Sequence, residues 1–337
     1  MTMSFLEAMA VRATDTFATA IKCSGSTNLA AEVKAAAEAE VEAVEPVEAA
    51  DTFATAIKCS GSTKKGAPCC RPLFRDFHTC KQHTTVKPDF CPTTRQEWLD
   101  YKSKHFTSGK PIALELFKGT GSIDKAIQAN KDFDVVSFDI DKYFKPDICA
   151  DFMTFNFKEV FEPGEFQYVW GSPVCTSWSI CTSKHRPSYK VDPELTPKTG
   201  EAELGNRMIE KLMNVIDFLE PPVFMIENPR GRLRHWKPFN KWLTKHGHSR
   251  LMVYYGNYDH YLPKPTDIWN NVSSAHKFDF TERSPKNGTF KSINDISLEK
   301  RYAMPQKLCL RLTRVAYEDS VKKLLHKDLM KYHENKE

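Results

Sequence analysis

The chain has 337 residues, with 48 Lys and Arg against 43 Asp and Glu for a net charge of +5, and is 41% hydrophobic and 27% charged. That balance belongs to a globular chain with room for one substantial core and one small accessory module, and it excludes a fibrous or wholly disordered polypeptide. No apolar run approaches the ~20 residues that cross a bilayer, and the mild positive charge permits nucleic-acid binding without demanding it.

Residues 1–10 contain Glu7 and no basic residue, which makes a poor signal peptide. The ten cysteines, at 23, 59, 69, 70, 80, 91, 149, 175, 181 and 309, are therefore expected in a reducing compartment, cytosol or nucleus, as metal ligands or reactive thiols and not as disulfides. A thirteen-residue segment occurs identically at 15–27 and 51–63, separated by an Ala/Glu/Val tract at 28–50 with six glutamates and one lysine. So little burial capacity cannot offset ordering entropy, so residues 1–57 are read as a largely disordered, low-complexity region.

The second copy continues into Cys59, Cys69, Cys80 and His83, a Cys3His set whose tight half is Cys80-x-x-His83. Structural zinc takes four tetrahedral N/S ligands, and a module of ~25 residues has too little core to fold without one. Residues 58–86 are accordingly read as a small structural Zn2+ module. The segment resembles a Cys3His module common in large DNA viruses, and that pattern selects Cys69 over Cys70.

From residue 94 the spacing predicts an amphipathic helix over 94–105, strands over 112–117, 135–138, 167–170 and 223–226, and helices over 122–130 and 200–219. A last helix starts at Pro305 and runs to about residue 325. Strands alternating with helices imply an α/β fold, a doubly wound, mostly parallel sheet of Rossmann-like type. The first strand runs into Gly119 and Gly121 and then a helix, a turn that admits a ligand to the backbone. Asp139 ends the next strand about twenty residues on, where nucleotide-binding α/β folds grip ribose, and Asp151 follows a third short run. These residues describe a ligand with ribose and adenine, and do not separate NAD from S-adenosylmethionine.

Cys175, just past a strand end, does separate them. A thiolate is the strongest common nucleophile near neutral pH, and Glu227 stands at the end of another strand of the same sheet. A thiolate adding to C6 of cytosine makes C5 carbanion-like, a carboxyl at N3 relieves the charge, and C5 then accepts a methyl group from a sulfonium. Cys181 is read as a bystander and Asp141 as a turn residue. Arg230, Arg232 and Arg234 form a basic cluster suited to phosphates.

On these residues, 112–318 resembles the C5 cytosine-specific DNA methyltransferase family, in the compact form of phages and large DNA viruses. The motifs run in family order: 115–122 (Glu-Leu-Phe-Lys-Gly-Thr-Gly-Ser), 139–141, 150–152, 172–179 (Ser-Pro-Val-Cys-Thr-Ser-Trp-Ser), 226–231 (Ile-Glu-Asn-Pro-Arg-Gly), 255–269 and 301–308. The resemblance implies an S-adenosylmethionine-dependent methyltransferase fold over 94–330 with a short recognition insert near 272–300. It implies that Glu115, Phe117, Gly119, Gly121, Asp139, Asp151 and Pro173 hold S-adenosyl-L-methionine. Cys175 would be the nucleophile and Glu227 the group at cytosine N3, with Arg230, Arg232, Arg234 and Lys264 contacting DNA.

The implied enzyme is a DNA (cytosine-5-)-methyltransferase, monomeric, acting on double-stranded DNA with no membrane partner, in a virus-infected host cell. Val174 stands where the family has proline before the nucleophile, and Lys264 where it often has arginine. An RNA cytosine-5 methyltransferase and a catalytically impaired DNA-binding homologue are the alternatives, because the base chemistry is shared and because Val174 departs from the pattern.

Metal analysis of the full-length chain, purified without chelators, is expected to find about one zinc ion per chain, and Cys80→Ser is expected to lose it. A wild-type chain free of zinc would overturn the reading of 58–86.

Overall fold

The computed structural model describes residues 90–179, 195–197, 199–273 and 297–334. The chain divides into the units Met1–Lys58 and Cys59–Glu337, and every described residue belongs to the second. The duplicated segment, the expected zinc ligands Cys59, Cys69, Cys80 and His83, Cys181 and most of the 272–300 insert lie outside the described residues. Among the described residues, no cluster of three or more His, Cys, Asp or Glu is placed to hold a metal ion, and no helix is long and apolar enough to cross a membrane.

The sheet has seven strands: β1 Ile112–Leu116, β2 Asp134–Asp139, β3 Ile148–Cys149, β4 Tyr168–Gly171, β5 Val223–Pro229, β6 Ser249–Tyr254 and β7 Pro265–Asn270. Their order is β3-β2-β1-β4-β5-β7-β6. The first five pair in parallel, and β7 runs antiparallel to both β5 and β6. The helices are α1 Arg95–His105, α2 Ser122–Asn130, α3 Phe157–Val160, α4 Gly200–Leu219, α5 Lys237–Lys245, α6 Leu298–Tyr302 and α7 Gln306–Glu334. This is the expected α/β fold, a doubly wound, mostly parallel sheet.

Every residue of β1 and β4 is buried, which is why both read as unbroken apolar runs. Alternation sends Leu114, Leu116, Val169, Phe224 and Ile226 into one core with Trp98 of α1, Leu212 of α4 and Phe239 of α5. Ala113, Tyr168, Trp170, Val223 and Met225 face the other core, with Ile123 and Ile127 of α2 and Leu308 and Leu312 of α7. Helix α1 opens on a capping box in which the Thr94 hydroxyl accepts from Glu97 N–H and the Glu97 carboxylate accepts from Thr94 N–H. The apolar pattern does not reveal β6 and β7, because Ser249 and Arg250 are exposed and Thr266, Asp267 and Asn270 are polar residues that β7 buries. The last helix continues to Glu334, past the expected residue 325, through a stretch in which Lys327, Leu329, Met330 and Lys331 are good helix formers.

One buried acid sits between the layers. Glu115 is 2% exposed and lies on the α2/α7 side of β1, where it accepts the backbone N–H groups of Ile123 and Asp124 at the start of α2. Burial pushes its carboxyl up to about 8, and the nearby Asp124 adds to the rise while Lys118 opposes it. The native state thus keeps a proton that the unfolded chain releases near 4.5. The stability this proton contributes is complete below the unfolded value and is lost as pH rises through about 8. Glu115→Gln, which mimics the protonated acid, is expected to melt with the wild type near pH 4.5 and above it by several degrees at pH 8.5, at about 2–4 °C per kcal/mol. A melting difference that does not change with pH would contradict this.

Candidate active site

The parallel register sets Leu116 beside Phe138 and Gly171, Asp139 beside Cys149, and Gly171 beside Ile226. The residues that follow these ends, Phe117–Gly121, Asp151 and Ser172–Cys175, therefore leave the sheet at a single rim, where Glu227 follows Ile226 within β5 and lies opposite Ile268 of β7. Because β7 runs the other way, it begins at that rim, with Pro265 opposite Tyr254 and Thr266 opposite Pro229. That direction adds Tyr255 and Lys264, which flank β6 and β7, to the same edge.

The glycine turn is wound tightly. Phe117 leaves β1 at φ 61°, followed by Gly119 at 50° and Gly121 at 66°, all left-handed. A non-glycine residue held at positive φ costs on the order of 1–3 kcal/mol and is commonly stored at functional sites. A Cβ on Gly119 would meet nothing within 4 Å but the Phe117 carbonyl oxygen at 3.9 Å, so the space above the turn is open to a ligand. Asp139 closes the turn from β2: its Oδ2 accepts from Gly119 N–H at 2.8 Å and its Oδ1 from Asp141 N–H at 2.8 Å. Burial raises the Asp139 carboxyl, and those two N–H groups hold the rise in check.

The Phe117 ring packs on Phe152 at 4.6 Å. Asp151 is exposed and spends Oδ1 on Met153 N–H at 2.8 Å, which holds the turn carrying Phe152. An open glycine turn, a carboxylate beside it and an aromatic ring at its base are a donor set that fits an adenosyl group. Glu115 lies beneath this turn as a cap for α2, so it supports the cradle from below. Two lysines brace it as well. Lys118 pairs with Asp124 at 2.9 Å and donates to Ser137 Oγ and to the Lys145 carbonyl, each at 3.1 Å. Lys211 of α4 donates to the carbonyls of Met153 and Phe155 at 3.0 and 2.9 Å. Neither position carries a sequence signal, because a lysine in a polar stretch looks like a solvated one.

The loop after β4 is held from three sides. Ser172 donates through Oγ to the Phe117 carbonyl at 3.1 Å, tying it to the glycine turn. The Asn228 amide of β5 donates to the Pro173 carbonyl at 3.1 Å in a buried contact. Ser177 Oγ donates to the Glu201 carbonyl of α4 at 2.9 Å. The Cys175 carbonyl accepts from Trp178 and Ser179 N–H, so the half-buried thiol stands at the start of a turn and is in no disulfide. Val174 packs against the core, filling apolar space beside the thiol. Just past Glu227, Ser179 bridges Gly231 and Arg232 N–H donates to the Trp178 carbonyl at 2.9 Å. A Cβ on Gly231 would lie 2.2 Å from that carbonyl oxygen, so only glycine allows the two backbones to meet.

Glu227 is 7% exposed. Its Oε1 accepts from the hydroxyl of fully buried Tyr255 at 2.9 Å. Lys264 Nζ lies 4.8 Å above the Tyr255 ring and donates to the Arg301 carbonyl at 3.3 Å. Burial raises the Glu227 carboxyl, Lys264 and Tyr255 pull it back down, and Asp267 pushes it up.

The basic cluster divides. Arg230 is exposed and Arg232 half-buried, whereas Arg234 grips the buried Asp267 with two hydrogen bonds, from Nε at 2.9 Å and from Nη2 at 2.5 Å. Asp267 of β7 is wholly buried and needs a counter-charge, which Arg234 supplies. Tyr255, Asn228 and Gly231 fall inside the motifs quoted from the sequence, but nothing in the sequence assigns them a role.

Comparison with known proteins gives a relative and a set of folds. The chain is 26% identical over 192 residues to the "Probable DNA (cytosine-5)-methyltransferase" of Frog virus 3, covering 53% of this chain and 83% of that protein. No family model matches. Among solved structures, the Entamoeba histolytica methyltransferase EhMeth aligns at 16% identity with a TM-score of 0.37, over 53% of this chain and 58% of that one. The S. pombe Dnmt2 methyltransferase aligns at 20% identity with a TM-score of 0.36, over 55% and 60%. The chain thus spans less than two thirds of the length of either solved structure.

Gly231→Ala is expected to leave the sheet folded and to push the Cys175 loop off β5. A displacement of about 1 Å at a reacting group costs ~10²-fold in rate. Any turnover measured for the wild type should fall by at least that factor while the circular dichroism spectrum is kept, and an unchanged rate would show that the contact does not set the loop.

Proposed function

We propose that the chain is an S-adenosylmethionine-dependent DNA (cytosine-5-)-methyltransferase. The observation that carries this reading is the Asn228–Pro173 hydrogen bond, which couples the loop bearing Cys175 to the strand end bearing Glu227, next to an open glycine turn. The similarity to the Frog virus 3 protein supports the choice of cytosine and DNA.

Phe117, Gly119, Gly121, Asp139, Asp151 and Pro173 would hold S-adenosylmethionine. When bound, that cofactor supplies an electrophilic methyl group, which C5 accepts. The chain's own residues do the rest. Duplex stacking hides the C5–C6 edge, so the target base is flipped into the site, with Arg230, Arg232 and Lys264 near the nucleic acid. The Cys175 thiolate adds to C6, forming the S–C6 bond and moving the C5=C6 π electrons onto C5, while Glu227 places its proton at N3. After methylation the C5 proton leaves to solvent water, the electrons return to C5=C6, the thiolate is expelled, and the N3 proton goes back to Glu227.

Tritiated-methyl transfer into duplex DNA, with transfer RNA as the competing substrate, tests the reading. The expected product is 5-methylcytosine in DNA by nucleoside mass spectrometry. A 5-fluorocytosine duplex, which has no C5 proton to lose, should trap a covalent adduct. Cys175→Ser should form neither product nor adduct, and Glu227→Gln should lose about 10²–10⁴-fold in rate. N4-methylcytosine or N6-methyladenine as product, or activity confined to RNA, would sink the proposal.

A further inference from the structure

Two buried groups at the rim have no part in the steps above: Cys309 of α7, fully buried, and Tyr255, which follows β6. The Cys309 thiol is buried in the α2/α7 core as an electrostatic neighbour of Glu227, whereas the phenol bonds that carboxyl directly. Tyr255 is 0% exposed, and its hydroxyl donates to Glu227 Oε1 at 2.9 Å. Among the described residues, no donor reaches the other carboxyl oxygen. A neutral carboxyl has one carbonyl oxygen and one hydroxyl, and the carbonyl oxygen is the better acceptor. A donor fixed on Oε1 therefore makes that atom the carbonyl and leaves the proton on Oε2.

We infer that Tyr255 is a positioning residue that fixes on which oxygen Glu227 carries its proton, so that Oε2 can present it to the target base. The part about the base rests on the function proposed above, while the part about the proton does not. The surroundings suit such a role. The Tyr255 ring is braced by Lys264 Nζ at 4.8 Å, and Lys264 is itself anchored on the Arg301 carbonyl at 3.3 Å. The charged or titratable groups facing Glu227 come from every element packed on it: Tyr255 after β6, Lys264 before β7, Asp267 on β7 and Cys309 on α7. Asp267 is paired with Arg234 yet still pushes the Glu227 carboxyl up, and Lys264 opposes it. Tyr255 and Lys264 both favour the ionised form, so removing the phenol hydroxyl must move the Glu227 titration upward.

Tyr255→Phe keeps the ring and deletes the donor. In the full chain, the melting temperatures of wild type and Glu227→Gln should diverge as pH rises from about 4.5, the divergence ending at the native Glu227 titration. In the Tyr255→Phe background the same divergence should end about one pH unit higher. This readout needs no turnover, and an end-point that does not move overturns the inference. In the methyl-transfer assay, Tyr255→Phe should lower kcat about tenfold, leave KM for the methyl donor within about twofold, and shift the alkaline limb of the rate profile upward. Equal losses in kcat and donor binding with no movement of that limb would reduce Tyr255 to packing. If instead Cys175→Ser keeps full activity while the melting end-point moves, the proposed function fails and the assignment of the Glu227 proton stands.

Discussion

The hydrogen bond from the Asn228 amide to the Pro173 carbonyl, with the backbone contact at Gly231 beside it, is the constraint on which the site rests. A parallel sheet delivers its loops to one edge, but nothing in its strand pairing holds two such loops in register above that edge. Here the loop after β4 is tied to β1 through Ser172, to β5 through Asn228, and to α4 through Ser177. A buried hydrogen bond contributes only about 1 kcal/mol net, whereas leaving its partners unsatisfied costs about 1–3 kcal/mol. Such bonds therefore choose the geometry of the loop more than they add to its stability. Gly231 serves the same end by having no side chain, since the Trp178 carbonyl occupies the place a Cβ would take.

The rim is also ordered electrostatically. Glu115 and Glu227 are both buried and both hold their protons more tightly than a solvated carboxyl, with desolvation as the main cause in each. Their settings differ. Glu115 sits beneath the glycine turn, spends itself on the N–H groups of α2, and faces a second acid in Asp124. Glu227 keeps a sliver of exposure, one phenol donor and one ammonium nearby. The Arg234–Asp267 pair keeps this arrangement workable, because an uncompensated carboxylate on β7 would add its charge to the field at Glu227.

Much of the sheet was legible in the sequence because its inner strands are buried on both faces. Residues 112–116, 168–171 and 223–226 are nearly all apolar, so their positions follow from composition alone. The glycine turn, Asp139, Cys175 and Glu227 were legible for another reason: each lies at or near the C-terminal end of an apolar run, where parallel topology already implies a common edge. Strands β6 and β7 were not, since Ser249 and Arg250 are exposed and β7 buries Thr266, Asp267 and Asn270, whose polarity reads as loop until Arg234 and the neighbouring strands are in place.

The amino-acid sequence by itself determined the layers and marked the candidate groups at the rim, because hydrophobic alternation and strand-end position are local properties. Only the tertiary structure decided which arginine faces outward, which lysines brace the glycine turn, and that a phenol from beyond β6 meets the carboxyl of β5. Apart from the local Lys118–Asp124 pair, those are pairings between residues 19 to 58 positions apart, and their partners are chosen by burial and by the need to satisfy buried charge, neither of which is set until the chain has closed on itself.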